Sequence, residues 1–352
     1  MKLSTVPESE TPASVKRRTL PAGATAATLA GLAAVVAVLR FGDAQSVAWL
    51  NNFLLVGSGL LLEAVPFLLL GAGVAAAIEV YLPQGWLIRF ARVPRTLQMA
   101  TASLGGFVFP VCECGSVPVA RRLLANGLAP GAALAFMLAA PVVNPVVILS
   151  TWFAFRGQPH EAFMVFGRIA LGIAVALIVG SLLAGRFARA TEQSLRPGGE
   201  PGVSAGADGC SLSQGRPGRA GRYFEHLGAE FVSMLKFMTI GAGIAAAVQT
   251  FVPQNAIGAV SSMTLLAIPA MMLFAYLLSL CSESDAILIA SFTQFSPVAQ
   301  LAFLVFGPML DLKLTALYVG AFGARLARAL ALALILVVLI LCLWIEAIWG
   351  LG

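Results

Sequence analysis

Two short runs hold the residue types that could do chemistry in this chain. The first is Cys112-Glu113-Cys114-Gly115; the second is Ser282-Glu283-Ser284-Asp285, preceded by Cys281. A Cys-x-Cys pair offers soft sulfur donors to a metal or metalloid. Carboxylates within apolar sequence are costly and usually hold a proton or a cation. The bland readings are that a cysteine is a small buried apolar residue, and that a carboxylate accepts backbone N–H bonds at a broken helix. The two runs lie 170 residues apart, and each is flanked by strongly apolar sequence.

The elements that must position them repeat with the same spacing. Gly71 to Gln84 reads GAGVAAAIEVYLPQ and Gly241 to Gln254 reads GAGIAAAVQTFVPQ, with eight of fourteen positions identical. Further on, Pro141-Val142-Val143-Asn144 matches Pro308-Met309-Leu310-Asp311, at an offset of 167. Duplicated halves that each carry a polar break are a signature of secondary transporters. The Gly71-x-Gly73 and Gly241-x-Gly243 pairs suit close helix contacts better than nucleotide loops.

Composition sets the solvent. The 352 residues are 59% hydrophobic and 11% charged, with a mean hydropathy of +0.91. A soluble domain carries about 25% charged residues, so the bilayer must cover much of this surface. The net charge of +6 lies in tails and loops, where the positive-inside rule places it, and is no nucleic-acid signal. Five cysteines are too few for a disulfide scaffold, and two histidines argue against a histidine-rich metal site. No phosphate cradle and no nucleophile–base pair stand out, so neither ATP hydrolysis nor an enzyme is expected. No cofactor is implied.

The reading along the chain is a polar N-terminal tail over 1–20, a first transmembrane helix and loop over 21–49, and membrane repeat 1 over 50–186. A flexible Gly/Pro/Ser/Arg linker over 187–224 and membrane repeat 2 over 225–352 follow. The apolar stretch Ala22 to Leu39 is longer than a signal-peptide core, which favours an uncleaved span. The fold class is an all-α polytopic membrane protein with about seven to eight full spans. Its two repeats have inverted topology and contain broken helices or re-entrant hairpins.

Charge orients the repeats. Arg89, Arg92, Arg95, Arg121, Arg122 and the linker arginines all reach the cytoplasm if residues 97–126 enter and leave on one side. Phe237 to Leu312 contains no Lys or Arg, so the matching loops of the second half face outward. The alternative is two parallel repeats with a full span in place of the hairpin. The N-terminus is expected in the cytoplasm, and a thiol pair entered from that reducing side is not expected to form a disulfide.

Pro110 and Pro118 are expected to break the first interrupted segment, with Gly115 easing the turn, and the helix to restart near Ser116. Pro141, Pro145 and Pro308 mark two more breaks beside Asn144 and Asp311. The candidate solute contacts are Cys112, Cys114, Asn144, Cys281 and Ser282; Cys112 and Cys114 are also the candidate metal ligands. The candidate proton or ion carriers are Glu113, Glu283, Asp285 and Asp311. Lys313 could neutralise Asp311 or another carboxylate. Cys342 reads as packing, and nothing suggests a role for Cys210.

The run Pro110-Val111-Cys112-Glu113-Cys114-Gly115-Ser116-Val117-Pro118, with Ala135-Phe136 and Ala140 to Pro145 downstream, resembles the predicted-permease family that includes bacterial organoarsenical efflux permeases. The resemblance covers about residues 50–349 apart from the linker. It implies a bacterial inner-membrane permease in contact with lipid. For some members it implies arsenical resistance through efflux of trivalent organoarsenicals such as methylarsenite. Many relatives have no assigned substrate. The expected partners are a small solute, arsenical or soft metal, and, in a second reading, another subunit of a multi-protein permease or metal/redox relay.

Overall fold

The computed structural model describes residues 44–81, 94–108, 111–195, 219–251 and 264–349. It divides into residues 1–52 and a much larger unit, 53–352, which contains the packing described below. The expected tail over 1–20, the apolar stretch 22–39, Pro110 and Cys210 lie outside the described residues.

Helices account for nearly all of the described chain, and no strand occurs among the described residues. The first half consists of α1 (Ala44–Tyr81), α2 (Arg95–Ser103), α3 (Gly105–Val108), α4 (Glu113–Ala125), α5 (Pro130–Val143), α6 (Pro145–Ala154) and α7 (Glu161–Leu195). The second half consists of α8 (Arg219–Phe251), α9 (Thr264–Leu278), α10 (Asp285–Ile289), α11 (Pro297–Phe306), α12 (Leu312–Phe322) and α13 (Ala324–Trp349). The order repeats: a long helix, a hairpin, a buried apolar helix, a short helix begun by a capping side chain, and a long helix.

Local chemistry explains these boundaries. Proline opens α5, α6 and α11, where its missing N–H costs nothing and its fixed φ favours the first turn. Asn144 caps α6 by accepting from the Val146 N–H at 3.0 Å, and Ser296 caps α11 by accepting from the Ala299 N–H at 3.2 Å. Gly323, at φ +84°, ends α12 in the left-handed region that lacks a Cβ penalty only for glycine.

Among the described residues, five helices are long and apolar enough to cross a membrane: Leu50–Ile78, Pro130–Ala154, Glu161–Arg189, Ala220–Thr250 and Ala324–Ile348. The expectation of seven to eight differs partly because α11 and α12 are separate half-length helices. Residues 22–39, expected to be a further span, are outside the described set. Burial separates the roles of the five. The broken segment α5–α6 is 78% buried, whereas the apolar window of α1 is 17% buried. The broken helix therefore forms the middle of the bundle, and α1 offers Leu55 and Leu62 to the surroundings.

The long helices α1 and α8 run antiparallel. A Cβ at Gly57 would lie 3.5 Å from Ala246, and one at Gly73 would lie 3.2 Å from the Tyr223 hydroxyl, so one helix advances as the other recedes. Two glycines permit backbone-close crossings. A Cβ at Gly71 would run into the Gly115 Cα, joining α1 to α4, and one at Gly241 would meet the Lys313 Cα at 2.9 Å, joining α8 to α12. Gly73 is more open than Gly71, and a Cβ at Gly243 would touch nothing within 4 Å, so each Gly-x-Gly pair has one close-packed member.

Several local expectations need correction. Helix α4 begins at Glu113, not near Ser116, because Cys112 already has the extended backbone of an N-cap. Gly115 and Pro118 then lie inside α4, and Pro141 lies inside α5. Each proline removes one helical N–H without ending its helix. The breaks expected beside Asn144 and Asp311 are present, at Asn144 directly before Pro145 and in the turn around Pro308. Helix α7 runs on to Leu195 and α8 starts at Arg219, so both ends of the expected 187–224 linker are helical.

Candidate functional site

The tips of the two hairpins meet. Glu113, in the first turn of α4, accepts a hydrogen bond from the Ser282 hydroxyl at 3.2 Å. Ser282 is also 3.4 Å from a Glu283 carboxylate oxygen. Both Glu113 and Ser282 are buried, while Glu283 is half-buried. A carboxylate at a helix N-terminus faces the positive end of the backbone dipole, which offsets part of its desolvation.

Lys313 closes the cluster from the third side. Its ammonium lies 3.8 Å from Glu113 Oε1 and 3.5 Å from Asp311 Oδ2, and it is buried with both partners. Asp311 has a second task. Its Oδ1 caps α12 by accepting from the Leu314 N–H at 2.6 Å. Asp311 and Asn144 thus do the same local work in the two halves. Only Asp311 also carries charge, and only Lys313 answers it, since the matching residue in the first half is Val146.

Behind the second hairpin lies a buried cation that the residue patterns did not single out. Arg168, from α7, donates to Thr151 Oγ1 at 2.8 Å and to the Ser282 carbonyl at 3.0 Å. It also lies within electrostatic range of Asp285, Glu283 and Glu113. A lone arginine within the apolar stretch 161–185 was the available signal, since such a residue needs a partner in the bundle. Asp285 is buried with Oδ2 lacking a hydrogen-bond partner, and that oxygen lies against Gly307 in the turn after α11.

Three further contacts tie the second hairpin down. Ser279, at φ +48°, is a non-glycine in the left-handed region, where strain marks a constrained position. Its hydroxyl accepts from the Leu312 N–H at 3.1 Å, satisfying an orphan donor at the start of α12. Ser284 donates to Glu63 on α1 at 3.3 Å. Gln249 donates to the Leu278 carbonyl.

The sulfur atoms gather at the same place. The Cys114 thiol donates to the Met238 thioether at 3.5 Å, and Cys112 stands two residues before Cys114, at the N-cap of the same helix. Cys281 lies within electrostatic range of Cys112, Glu113 and Lys313. All three cysteines are buried thiols. Cys342 is also buried and packs in the core of the final helix. Among the described residues, no group of three or more His, Cys, Asp or Glu is placed to hold a metal ion.

Of the residues picked from the sequence, the structure therefore brings together Cys112, Glu113, Cys114, Cys281, Ser282, Glu283 and Asp311. Asn144 is buried and acts as the cap of α6 rather than as a member of that cluster. Met238, Arg168, Thr151, Ser279 and Glu63 join it without having been singled out as site residues. Both hairpins also have a tether at the far end. Arg121 and Arg122 at the end of α4 reach Glu230 on α8 at 4.0 and 3.3 Å. Gln158, in the loop before α7, donates to the Ala290 carbonyl at the end of α10 at 3.3 Å.

Broken apolar helices around a buried, charged centre define a multi-pass membrane protein of the permease class. The family described as "Predicted permease" (ArsP_1) matches residues 49–347, and the chain belongs to it. It is 38% identical over 279 residues to UPF0718 protein YcgR of Bacillus subtilis, covering 78% of this chain and 91% of that protein. It is 30% identical over 269 residues to a Streptococcus mutans protein named "Putative two-component membrane permease complex subunit", covering 75% of this chain and 84% of that one. A shorter match, 30% over 131 residues, joins it to UPF0718 protein YraQ of Escherichia coli and covers 36% of this chain. No solved structure matches. Membership in a permease family points to transport rather than catalysis.

Proposed function

We propose that this chain is an inner-membrane secondary transporter whose solute binds between the two hairpin tips, with its N-terminus in the cytoplasm. The observation that carries this reading is the meeting of Glu113, from the first repeat, with Ser282 and Lys313, from the second. A buried charge cluster shared by two duplicated halves is the arrangement that alternating access requires. Glu113, Glu283, Asp285 and Asp311 carry the coupling proton or ion. Cys112, Cys114, Cys281 and Ser282 contact a thiophilic solute, with a trivalent organoarsenical the substrate that the family resemblance suggests, and efflux the direction. Asn144 serves the site through its cap.

Inverted topology is supported by the tethers. The first hairpin returns to Glu230, near the linker end of α8, while the second returns to the loop before α7, at the opposite end from the linker. The antiparallel α1 and α8 fit the same two-fold.

A second reading makes the chain one subunit of a two-part permease, and the name of the Streptococcus mutans relative favours it. Flux into vesicles containing only the purified chain separates the two. Uptake of a thiophilic solute that stops in Cys112→Ala/Cys114→Ala and in Glu113→Gln supports the transporter. Flux that needs an added second protein supports the subunit.

A further inference from the structure

We propose that Cys112, Cys114 and Met238 form a binding site for a soft monovalent cation, Cu(I) or Ag(I), and that this cation is the solute. The proposal rests on the permease reading and narrows its substrate class.

Two sulfurs meet in a dry place, and a third stands two residues away in sequence. Cys112 and Cys114 flank Glu113 at the start of α4, and Met238 approaches from α8 of the other half, 124 residues away from Cys114. All three are buried, with Met238 at 0% exposure. The thiol–thioether contact is 3.5 Å. A metal–sulfur bond of about 2.3 Å, the zinc–thiolate value, puts ligand sulfurs roughly 4 Å apart in a trigonal plane. The Cys114–Met238 pair needs only about half an ångström of widening to share such an ion, and Cys112 is the third donor proposed.

The donor set chooses among thiophilic solutes. Thiolate and thioether together favour soft d10 cations. Zn2+ wants four donors in a tetrahedron, and among the described residues no third His, Cys, Asp or Glu completes a site around the two thiols. A trivalent organoarsenical uses the two thiolates and gains nothing from a neutral thioether. Met238 is therefore the residue on which the two substrate classes differ.

The charges balance. The ion breaks two S–H bonds, forms two metal–thiolate bonds and one metal–thioether bond, and releases two protons. The product at the sulfurs carries one negative charge. Lys313, within electrostatic range of Cys114 and Cys281, offsets part of that negative charge while it also faces Glu113 and Asp311. Both protons leave to bulk water, so the titration releases two protons to the buffer for each ion bound.

The test is titration of the purified full chain, under reducing conditions, with Ag(I) and with Cu(I) against a chromogenic competitor. Methylarsenite is titrated in parallel. The expected result is one equivalent of Ag(I) or Cu(I) bound, lost in Cys112→Ser/Cys114→Ser and weakened about tenfold or more in Met238→Leu. Arsenical binding should be unchanged in Met238→Leu. Leucine conserves volume, and a matching melting temperature confirms that the variant is folded. No binding of either cation, or binding indifferent to Met238→Leu in the folded protein, overturns the proposal. Flux of another solute without Ag(I) binding sinks this inference and leaves the permease reading intact. Binding without flux, alone or with a partner, sinks the permease reading while the cation site stands.

Discussion

The two halves share an order of elements but divide the chemistry. The first hairpin brings Glu113 and the two thiols, followed by the thirteen-residue α4. The second brings Ser282, Glu283 and Asp285, but its returning helix α10 has only five residues. The first half has an amide, Asn144, where the second has a carboxylate, Asp311. The first sends in its cation from a long helix, as Arg168; the second sends it from just beyond its cap, as Lys313. The two halves share a frame of helices, and each carries only part of the charge. A symmetric pair of acidic tips would repel at the meeting point, and opposite-sign groups from different halves remove that penalty.

The sharpest way to break this comparison is to take out one cation. Lys313→Met leaves Glu113 and Asp311 buried without their counter-charge and should cost about 3 to 5 kcal/mol. A denaturation series in detergent would show it. Adding Glu113→Gln and Asp311→Asn should recover part of the loss; no recovery would mean that the three side chains are not coupled. Arg168→Leu should cost slightly less, about 3 kcal/mol by the same logic, because both of its hydrogen bonds end on neutral acceptors, Thr151 Oγ1 and the Ser282 carbonyl. If Arg168→Leu were silent while Lys313→Met unfolded the chain, the division of charge between the halves would be lopsided.

The glycine pairs sharpen the frame itself. Gly71→Ala and Gly241→Ala each force a Cβ into a neighbouring backbone and should destabilise by about 1 to 3 kcal/mol. Gly243→Ala meets open space and should be neutral or stabilising by up to about 1 kcal/mol. Equal effects at Gly241 and Gly243 in melting curves would contradict the close α8–α12 crossing. The smallest loss expected is from the cap. Asn144→Ala should cost about 1 kcal/mol through the lost bond to Val146. Asp311→Ala should cost more, because Asp311 caps a helix and also pairs with Lys313.

Much of this was legible in the residues, for identifiable reasons. The helical class, the duplication and the polar tips follow from local composition and register. Lys313 was readable as a neutraliser because it stands two residues from Asp311. The position of the α4 start was not, because Pro118 looks like a breaker although a proline can lie within an early part of a helix when its neighbours are packed. Met238 looks like any core methionine until the fold sets it against Cys114. Ser284 finds Glu63 across 221 residues, and no local pattern predicts such a contact. The pairing of Arg168 was hidden in the same way: its two polar partners come from different halves.

That last arrangement bears on how the polypeptide is made. Arg168 enters the bilayer with the first half, yet the carbonyl it binds belongs to Ser282, 114 residues later in the chain. Inserting an arginine costs about 2.5 to 3.5 kcal/mol at the centre of a helix on the translocon scale, and less at Arg168, about two turns into α7. Until the later segment leaves the ribosome, only Thr151 relieves that cost. Early intermediates should therefore be held by insertion factors, and a product truncated before Ser282 should be degraded rather than accumulate as a stable half-molecule.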